Sequence, residues 1–180
     1  FIEVHRLGTF PERSLDIDVV FDLMIHDLDV VLSIVPAEVE SIEAVGVPVL
    51  TGRVDIANAR LRFTNGCIAN LTASRISRDR VRKIRFFQPA AYVSVDYAAQ
   101  KVEMWRLTKG DGVMPSIQGG DVPVREEEPL KRELEDFVDA VRNRRTPLVS
   151  GQQGRRALTL AQQITDRMTL DGRTVLPTRP

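Results

Sequence analysis

Alternation of apolar and polar residues along the middle of the chain predicts a sheet. Between residues 57 and 63, Ala57, Ala59, Leu61 and Phe63 alternate with polar residues, which is the period of a half-buried strand. Similar β-rich patterns predict further strands at residues 1–7, 39–47, 67–77, 81–87, 91–97 and 102–107. Residues 109–123 hold four of the eleven glycines and two prolines, and predict a surface loop.

The segment that joins the strands at 57–63 and 67–77 contains Asn65-Gly66, a pair that favours a tight hairpin. With a strict two-residue turn, Leu71 would lie on the same face as Arg60 and Arg62. Either the loop is therefore bulged, or the second face of the hairpin is also covered, for example by another subunit. The second alternative predicts self-association of the chain.

Three segments have the apolar pattern of helices. Residues 18–34 are apolar on nearly all sides and contain no glycine or proline, which predicts a long N-terminal helix. Residues 130–141 carry one apolar stripe, which predicts an amphipathic helix. A last helix begins at the capping pair Ser150 and Gln153 and is expected to end at Gly172.

Together these elements predict an α+β fold: an open, mostly antiparallel sheet, one long N-terminal helix and two C-terminal helices that cover the sheet. No linker, repeat or low-complexity tract divides the chain, so we place one domain at residues 1–172 and a tail at 173–180. The sequence opens at Phe1 without an initiator methionine, and we expect it to be a piece of a longer protein.

Charge and composition argue against several classes of protein. Twenty-five Lys and Arg balance 25 Asp and Glu, so the net charge gives no case for a nucleic-acid or anionic-membrane binder. The most apolar stretch, residues 19–35, is interrupted by four charged or ionisable side chains, so we expect no membrane span. Cys67 is the only cysteine and no signal peptide is visible, which favours a cytoplasmic location.

The helix predicted at 18–34 carries the most informative polar residues. Asp18, Asp22, His26, Asp29 and Ser33 are spaced by four, four, three and four, so they would form one stripe on a helix. A neighbouring carboxylate can orient an imidazole and favour its protonated form, which suits acid–base chemistry. The alternative is a half-buried helix whose polar edge is only solvated.

Residues 22–29, Asp-Leu-Met-Ile-His-Asp-Leu-Asp, resemble the Asp-x-x-x-His-x-x-Asp signature in the C-terminal domain of the glucose–fructose oxidoreductase / inositol dehydrogenase (Gfo/Idh/MocA) family. Residues 128–142, 146–151 and 154–160 are similar to the closing segments of that domain. The resemblance implies a dihydrodipicolinate reductase-like C-terminal fold and NAD(P)-dependent oxidation of sugars and related polyols. It also implies that His26 is the catalytic acid/base and Asp22 its acidic partner.

The same resemblance implies an N-terminal Rossmann domain that binds NAD or NADP. The 180 residues contain neither the glycine fingerprint for a dinucleotide nor the family's Glu-Lys-Pro motif. We therefore expect no cofactor-binding residue here and no activity in this chain alone. The implied partners are a sugar or nucleotide sugar, the chain's own Rossmann domain and further copies in a homo-oligomer. No metal site is expected, since no cluster has the spacing of a known one.

The opening residues 1–8 are similar to the UDP-N-acetylglucosamine 3-dehydrogenase-like subgroup, which acts on UDP-linked N-acetylhexosamines. Within this resemblance, Arg6, Asp29, Arg75 and Arg78 are the candidate substrate-binding residues. Residues 75–85 carry six cations, and a diphosphate is bound best by such charge. The alternatives are a charged strand edge and, for the whole chain, a non-catalytic binding or oligomerisation module that retains the fold.

Overall fold

A single mostly antiparallel sheet, as predicted, organises the protein. The computed structural model describes residues 1–11, 15–108, 116–170 and 173–174. Within these ranges the sheet has ten strands: β1 Ile2–Leu7, β2 Val39–Val47, β3 Ile56–Phe63, β4 Ile68–Ser74, β5 Val81–Gln88, β6 Ala91–Asp96, β7 Lys101–Thr108, β8 Ser116–Val122, β9 Met168–Leu170 and β10 Arg173–Thr174. Their order is β10-β9-β2-β3-β4-β1-β5-β6-β7-β8, and only the pairs β1–β4 and β2–β9 are parallel.

The hairpin formed by β3 and β4 has a longer loop than the two-residue turn. The Phe63 N–H donates to the Cys67 carbonyl over 2.9 Å, and Gly66 takes a φ of +82°, which glycine adopts without strain. The extra loop residue places Leu71 opposite Ala59, and both side chains are buried. The bulged-loop alternative is therefore confirmed, and the hairpin gives no argument that a second subunit covers its other face.

Three helices, α1 Ile25–Ile34, α2 Pro129–Asn143 and α3 Gly151–Asp166, lie within the described ranges. A π-helical turn at Val20–Met24 leads into α1, since the Ile25 N–H donates to the Val20 carbonyl. The predicted first helix therefore begins later than residue 18 and opens with a wide turn. The capping box at Ser150 is confirmed. The expectation that this helix runs to residue 172 is wrong, because α3 ends at Asp166 and the chain enters β9.

One side of the sheet packs against α1 and α3, and this contact forms the core. Its buried residues include Met24, Leu28 and Val31 before and within α1, Leu160, Ala161 and Ile164 from α3, and Val4, Leu61, Phe63 and Leu71 from the strands. The predicted cover by both C-terminal helices is correct for α3 only. The apolar stripe of α2 is instead 44–64% exposed: Leu130, Leu134, Phe137, Val138 and Val141.

The predicted loop at 109–123 is wrong in its second half, where Ser116–Val122 forms the edge strand β8. Glycine is needed there, since a Cβ at Gly119 would lie 2.0 Å from the Met104 carbonyl oxygen of β7. The described residues do not include 109–115, Gly172 or the predicted tail beyond Thr174. In the part of the chain that is described, no helix is long and apolar enough to cross a membrane.

Candidate functional site

His26 lies in the first turn of α1, directly after the π-helical turn, a feature that often occurs at functional sites. Its side chain is exposed and borders two cavities, of about 890 and about 590 Å3. It makes no hydrogen bond or ion pair with any residue that the structure describes. The imidazole is therefore available for contact with a ligand in either cavity.

The neighbouring residue, Asp27, points to the sheet and fixes this part of the helix. Its two carboxylate oxygens accept hydrogen bonds from Arg6 of β1, 2.6 Å from Nε and 2.7 Å from Nη2. The two side chains are only 4% and 15% exposed. This bidentate pair holds the first turn of α1 on β1, and so fixes the backbone that carries His26. The sequence pattern missed Asp27, because its position lies off the polar stripe.

The smaller cavity lies between His26, the sheet and the segment 124–129. Arg6, Arg82 and Tyr97 line it. Gln100 holds the far wall, because its amide donates to the Glu127 carbonyl over 3.2 Å and accepts from the Glu127 N–H over 3.0 Å. Burial raises the pKa of Tyr97 to about 12, and the Asp27 carboxylate adds to the rise while Arg6 opposes it. The Tyr97 hydroxyl is therefore a neutral hydrogen-bond donor at physiological pH.

The larger cavity joins His26 and Asp29 to α2 and to residues 147–149. Asp136 of α2 anchors that last segment, because its carboxylate accepts hydrogen bonds from the Leu148 N–H and from Arg145, each over 2.7 Å. These hydrogen bonds, the one from Leu148 first, lower the pKa of Asp136. His26 thus lies where a cavity bordered by the sheet meets a cavity bordered by α2.

The structure brings together only part of the predicted polar stripe. Asp18 precedes the helix, and its carboxylate accepts a hydrogen bond from the Val54 N–H over 2.9 Å. Asp22 lies in the π-helical turn, and its carboxylate makes no hydrogen bond to the His26 imidazole. The Ser33 hydroxyl donates to the Val30 carbonyl. In the described ranges no three His, Cys, Asp or Glu residues form a group that could hold a metal ion.

Arg75, expected to bind substrate, lies inside the protein instead. Its side chain is 1% exposed and donates to the Asp55 carboxylate and the Ile17 carbonyl, each over 2.8 Å. Burial by itself would raise the pKa of Asp55, but hydrogen bonds from Thr51, Leu50 and Arg75 hold it well below its usual range. Because its guanidinium is enclosed in this network, Arg75 is a structural residue.

The other predicted substrate-binding residues divide between the two cavities and the surface. Arg6 lines the smaller cavity and Asp29 lines the larger one. Arg78 is exposed and lines neither of them. Sequence reasoning counted Arg82 only as one member of the run of cations at 75–85 and did not place Tyr97 among the candidate site residues. Both residues border His26's smaller cavity, which only the strand register could have indicated.

Comparison with known proteins adds two findings. The family model for the GFO/IDH/MocA C-terminal domain matches residues 9–88. A UDP-N-acetylglucosamine 3-dehydrogenase from Acidithiobacillus ferrooxidans is 40% identical over 167 residues, which is 91% of this chain and 53% of that protein. The segment matched by the family model includes α1 and therefore His26.

Solved structures agree with this match. A structure of UDP-N-acetylglucosamine 3-dehydrogenase from Acidithiobacillus ferrooxidans has a TM-score of 0.85 at 38% identity, over 93% of this chain and 54% of the other. A levoglucosan dehydrogenase in complex with NADH and L-sorbose has a TM-score of 0.77 over 92% of this chain and 55% of the other. Its identity is 13%, so this second likeness shows a shared fold. The chain spans about half the length of these relatives.

Proposed function

Because the chain belongs to the GFO/IDH/MocA family of oxidoreductases, we propose that it is the substrate-binding half of a nicotinamide-dependent dehydrogenase that oxidises a hydroxyl group of a nucleotide sugar. The observation that carries the proposal is the position of His26. Its imidazole is exposed at the junction of two cavities and engaged by no described residue, while Asp27 beside it is locked to the sheet. The 40% identical UDP-N-acetylglucosamine 3-dehydrogenase supports the class of substrate.

In the proposed reaction His26 takes the proton of the reacting hydroxyl group as its carbon loses a hydride, so that an alcohol becomes a ketone. A nicotinamide, NAD or NADP, supplies the acceptor for that hydride when it is bound. Asp22, one turn before His26, is the acidic partner in this proposal and acts through the histidine rather than on the substrate. Asp29 borders the larger cavity and accepts a hydrogen bond from a sugar hydroxyl there.

We propose that the other half of the enzyme, which binds the nicotinamide dinucleotide, covers α2. The helix exposes five large apolar side chains, which is unusual for a surface without a partner. The larger cavity also connects α2 to His26, so a partner on this helix would lie next to the reacting carbon. The relatives are about twice as long as this chain, which leaves room for such a half.

We also propose that the protein assembles into a homo-oligomer. The argument rests on an aromatic surface of the sheet and not on the β3–β4 hairpin. Opposite the core, Phe87, Tyr92 and Trp105 lie in one row across β5, β6 and β7, and Phe1, directly before β1, extends this row beside Phe87. Ring centroids are 5.7 Å apart between Phe1 and Phe87, and 5.2 Å apart between Phe87 and Tyr92. Such a row suits contact with a second copy. The free thiol of Cys67 is consistent with a cytoplasmic location.

An activity assay tests the proposal. A polypeptide that joins this domain to a nucleotide-binding half is expected to oxidise UDP-N-acetylglucosamine while reducing NAD or NADP, measured by absorbance of the reduced nicotinamide. This chain alone is expected to show no turnover and no calorimetric binding of either dinucleotide. Absence of turnover in the joined protein with every nucleotide sugar tried would favour a non-catalytic binding module. Micromolar binding of a dinucleotide to this chain alone would contradict the proposed division between the halves.

A further inference from the structure

The smaller cavity beside His26 is lined by two arginines that lie side by side on adjacent strands. Arg6 of β1 and Arg82 of β5 are direct partners in the antiparallel register, and both line the cavity. Like charges placed directly opposite each other on a sheet are destabilising. Asp27 neutralises Arg6, but the Arg82 guanidinium makes no hydrogen bond or ion pair with any described residue, and only the Arg82 backbone is bonded. The fold therefore keeps an unneutralised guanidinium at this point.

The remaining charges of the cavity leave Arg82 available. Of its two acidic lining residues, Asp96 accepts the Ala98 and Ala99 N–H groups of its turn, and Glu127 pairs with Arg125 and Arg132. Lys101 also lines the cavity; it is the strand partner of Asp96, but its ammonium makes no hydrogen bond or ion pair with any described residue. The cavity thus has an excess of positive charge in a protein whose net charge is zero.

We propose that Arg82, with Arg6 beside it, forms an anion-binding subsite for the diphosphate group of a nucleotide sugar whose sugar ring reaches His26. This inference rests on the proposed function and deepens it by assigning the residue that recognises the phosphates. A guanidinium fits phosphate oxygens through two parallel hydrogen bonds, which an ammonium does not offer. Arg6 uses Nε and Nη2 on Asp27, so its Nη1 remains for the ligand. The cavity volume of about 590 Å3 is in the range of small-molecule sites.

The neighbouring groups suit the same ligand. The Tyr97 hydroxyl stays protonated at neutral pH and donates a hydrogen bond to an anion or a sugar oxygen. Gln100 holds the segment that carries Glu127 in place as one wall of the cavity. His26 lines the same cavity, so one bound molecule can contact both the phosphate-binding and the proton-transferring groups.

Calorimetric titration of the chain with UDP-N-acetylglucosamine, UDP and N-acetylglucosamine tests the subsite. Arg82→Gln is expected to weaken binding of the two phosphorylated ligands by roughly 10–100-fold, the loss typical for a hydrogen bond to a charged group. Binding of N-acetylglucosamine is expected to be unchanged. Arg62→Gln is the matched control, because Arg62 is exposed on the opposite face of the sheet. It removes the same charge and is expected to leave all affinities as they are.

A second variant and a stability measurement separate binding from folding. Since Arg82 is exposed and faces Arg6, Arg82→Gln is expected to unfold at the same or a slightly higher urea concentration than wild type. Arg82→Lys keeps the charge but not the planar fork, and is expected to lose part of the affinity. If Arg82→Gln is less stable than wild type, its loss of affinity no longer identifies the subsite, and Arg82→Lys is used in its place. Affinity of Arg82→Lys for UDP-N-acetylglucosamine equal to that of wild type then overturns the subsite.

Each remaining outcome has one meaning for the subsite. Equal affinity of Arg82→Gln and wild type for UDP-N-acetylglucosamine overturns it, and so does an equal loss in Arg62→Gln. If the chain binds N-acetylglucosamine but binds UDP-N-acetylglucosamine no more tightly, the subsite is wrong while the proposed sugar oxidation stands. If it binds neither ligand, both proposals fail. A titration with NAD covers the other source of a diphosphate, and Arg82-dependent binding of NAD would overturn the assignment to the substrate.

Discussion

Replacing Asp27 with asparagine removes the charge that holds α1 on β1. The pair makes two charge-assisted hydrogen bonds of 2.6 and 2.7 Å, and its side chains are 4% and 15% exposed. Exposed pairs contribute up to about 1 kcal/mol, whereas breaking a buried pair costs about 3–5 kcal/mol. Because Arg6 keeps some solvent contact, we expect Asp27→Asn to lower the free energy of unfolding by about 2–4 kcal/mol.

Urea unfolding of the chain at neutral pH measures this loss by linear extrapolation. The matched control is Arg132→Gln, which breaks the exposed Arg132–Glu127 pair of 2.8 Å. The control is expected to lose less than about 1 kcal/mol. A double variant that also carries Arg6→Gln is expected to be clearly non-additive. A loss for Asp27→Asn no larger than the control, or additivity of the two single losses, would refute a bracing role for this pair.

Three further predictions follow from the charges and the aromatic row. The pKa of Asp55 is lowered in the folded state, so its carboxylate contributes fully to stability at neutral pH. The free energy of unfolding, measured by urea titration, is therefore expected to fall as the pH drops below about 4. Asp55→Asn should flatten that fall, and an unchanged pH dependence would contradict it. Ultraviolet titration is expected to show the Tyr97 phenolate only near pH 12, and earlier in Asp27→Asn, which removes the carboxylate that raises this pKa. If a tyrosine instead ionises near the usual pKa of about 10, and Tyr97→Phe removes that ionisation, the burial of the Tyr97 hydroxyl is contradicted. Light scattering is expected to show self-association that Trp105→Glu weakens, and an unaffected oligomer would exclude the aromatic row as its interface.

The strands were largely predictable, because sheet strands repeat every second residue and their ends carry turn residues. The bounds of β2 agree with the prediction, and β3 differs by one residue from its alternating pattern. β8 was missed because Gly119 and Gly120 resemble loop residues in the sequence. The role of Gly119 depends on the close approach of β7, which is a tertiary contact. The outward stripe of α2 was missed for a similar reason: periodicity shows that a face is apolar but not what covers it.

The candidate site was predictable where residues are near in sequence and not where they are distant. The motif indicated His26, but the π-helical turn that precedes it has no sequence signature known to us. Arg75 and Arg82 belong to the same run of cations, yet one is enclosed by Asp55 and the other lines a cavity. Strand register decides between these outcomes. The Arg6–Asp27 pair joins residues 21 positions apart and also depends on how α1 lies against β1.

The role of His26 is tested most directly by the pH dependence of turnover in His26→Asn, made in a polypeptide that joins this domain to its nucleotide-binding half. Asparagine keeps a polar side chain but cannot take a proton, so kcat is expected to fall by about 10²–10⁴-fold. The imidazole limb of the kcat/KM profile is expected to disappear, with dinucleotide affinity unchanged. Asp22→Asn is expected to have a smaller or similar effect and to be non-additive with it. Near-normal turnover of His26→Asn with an unchanged pH profile would contradict the account and leave His26 as a solvated residue at the edge of α1.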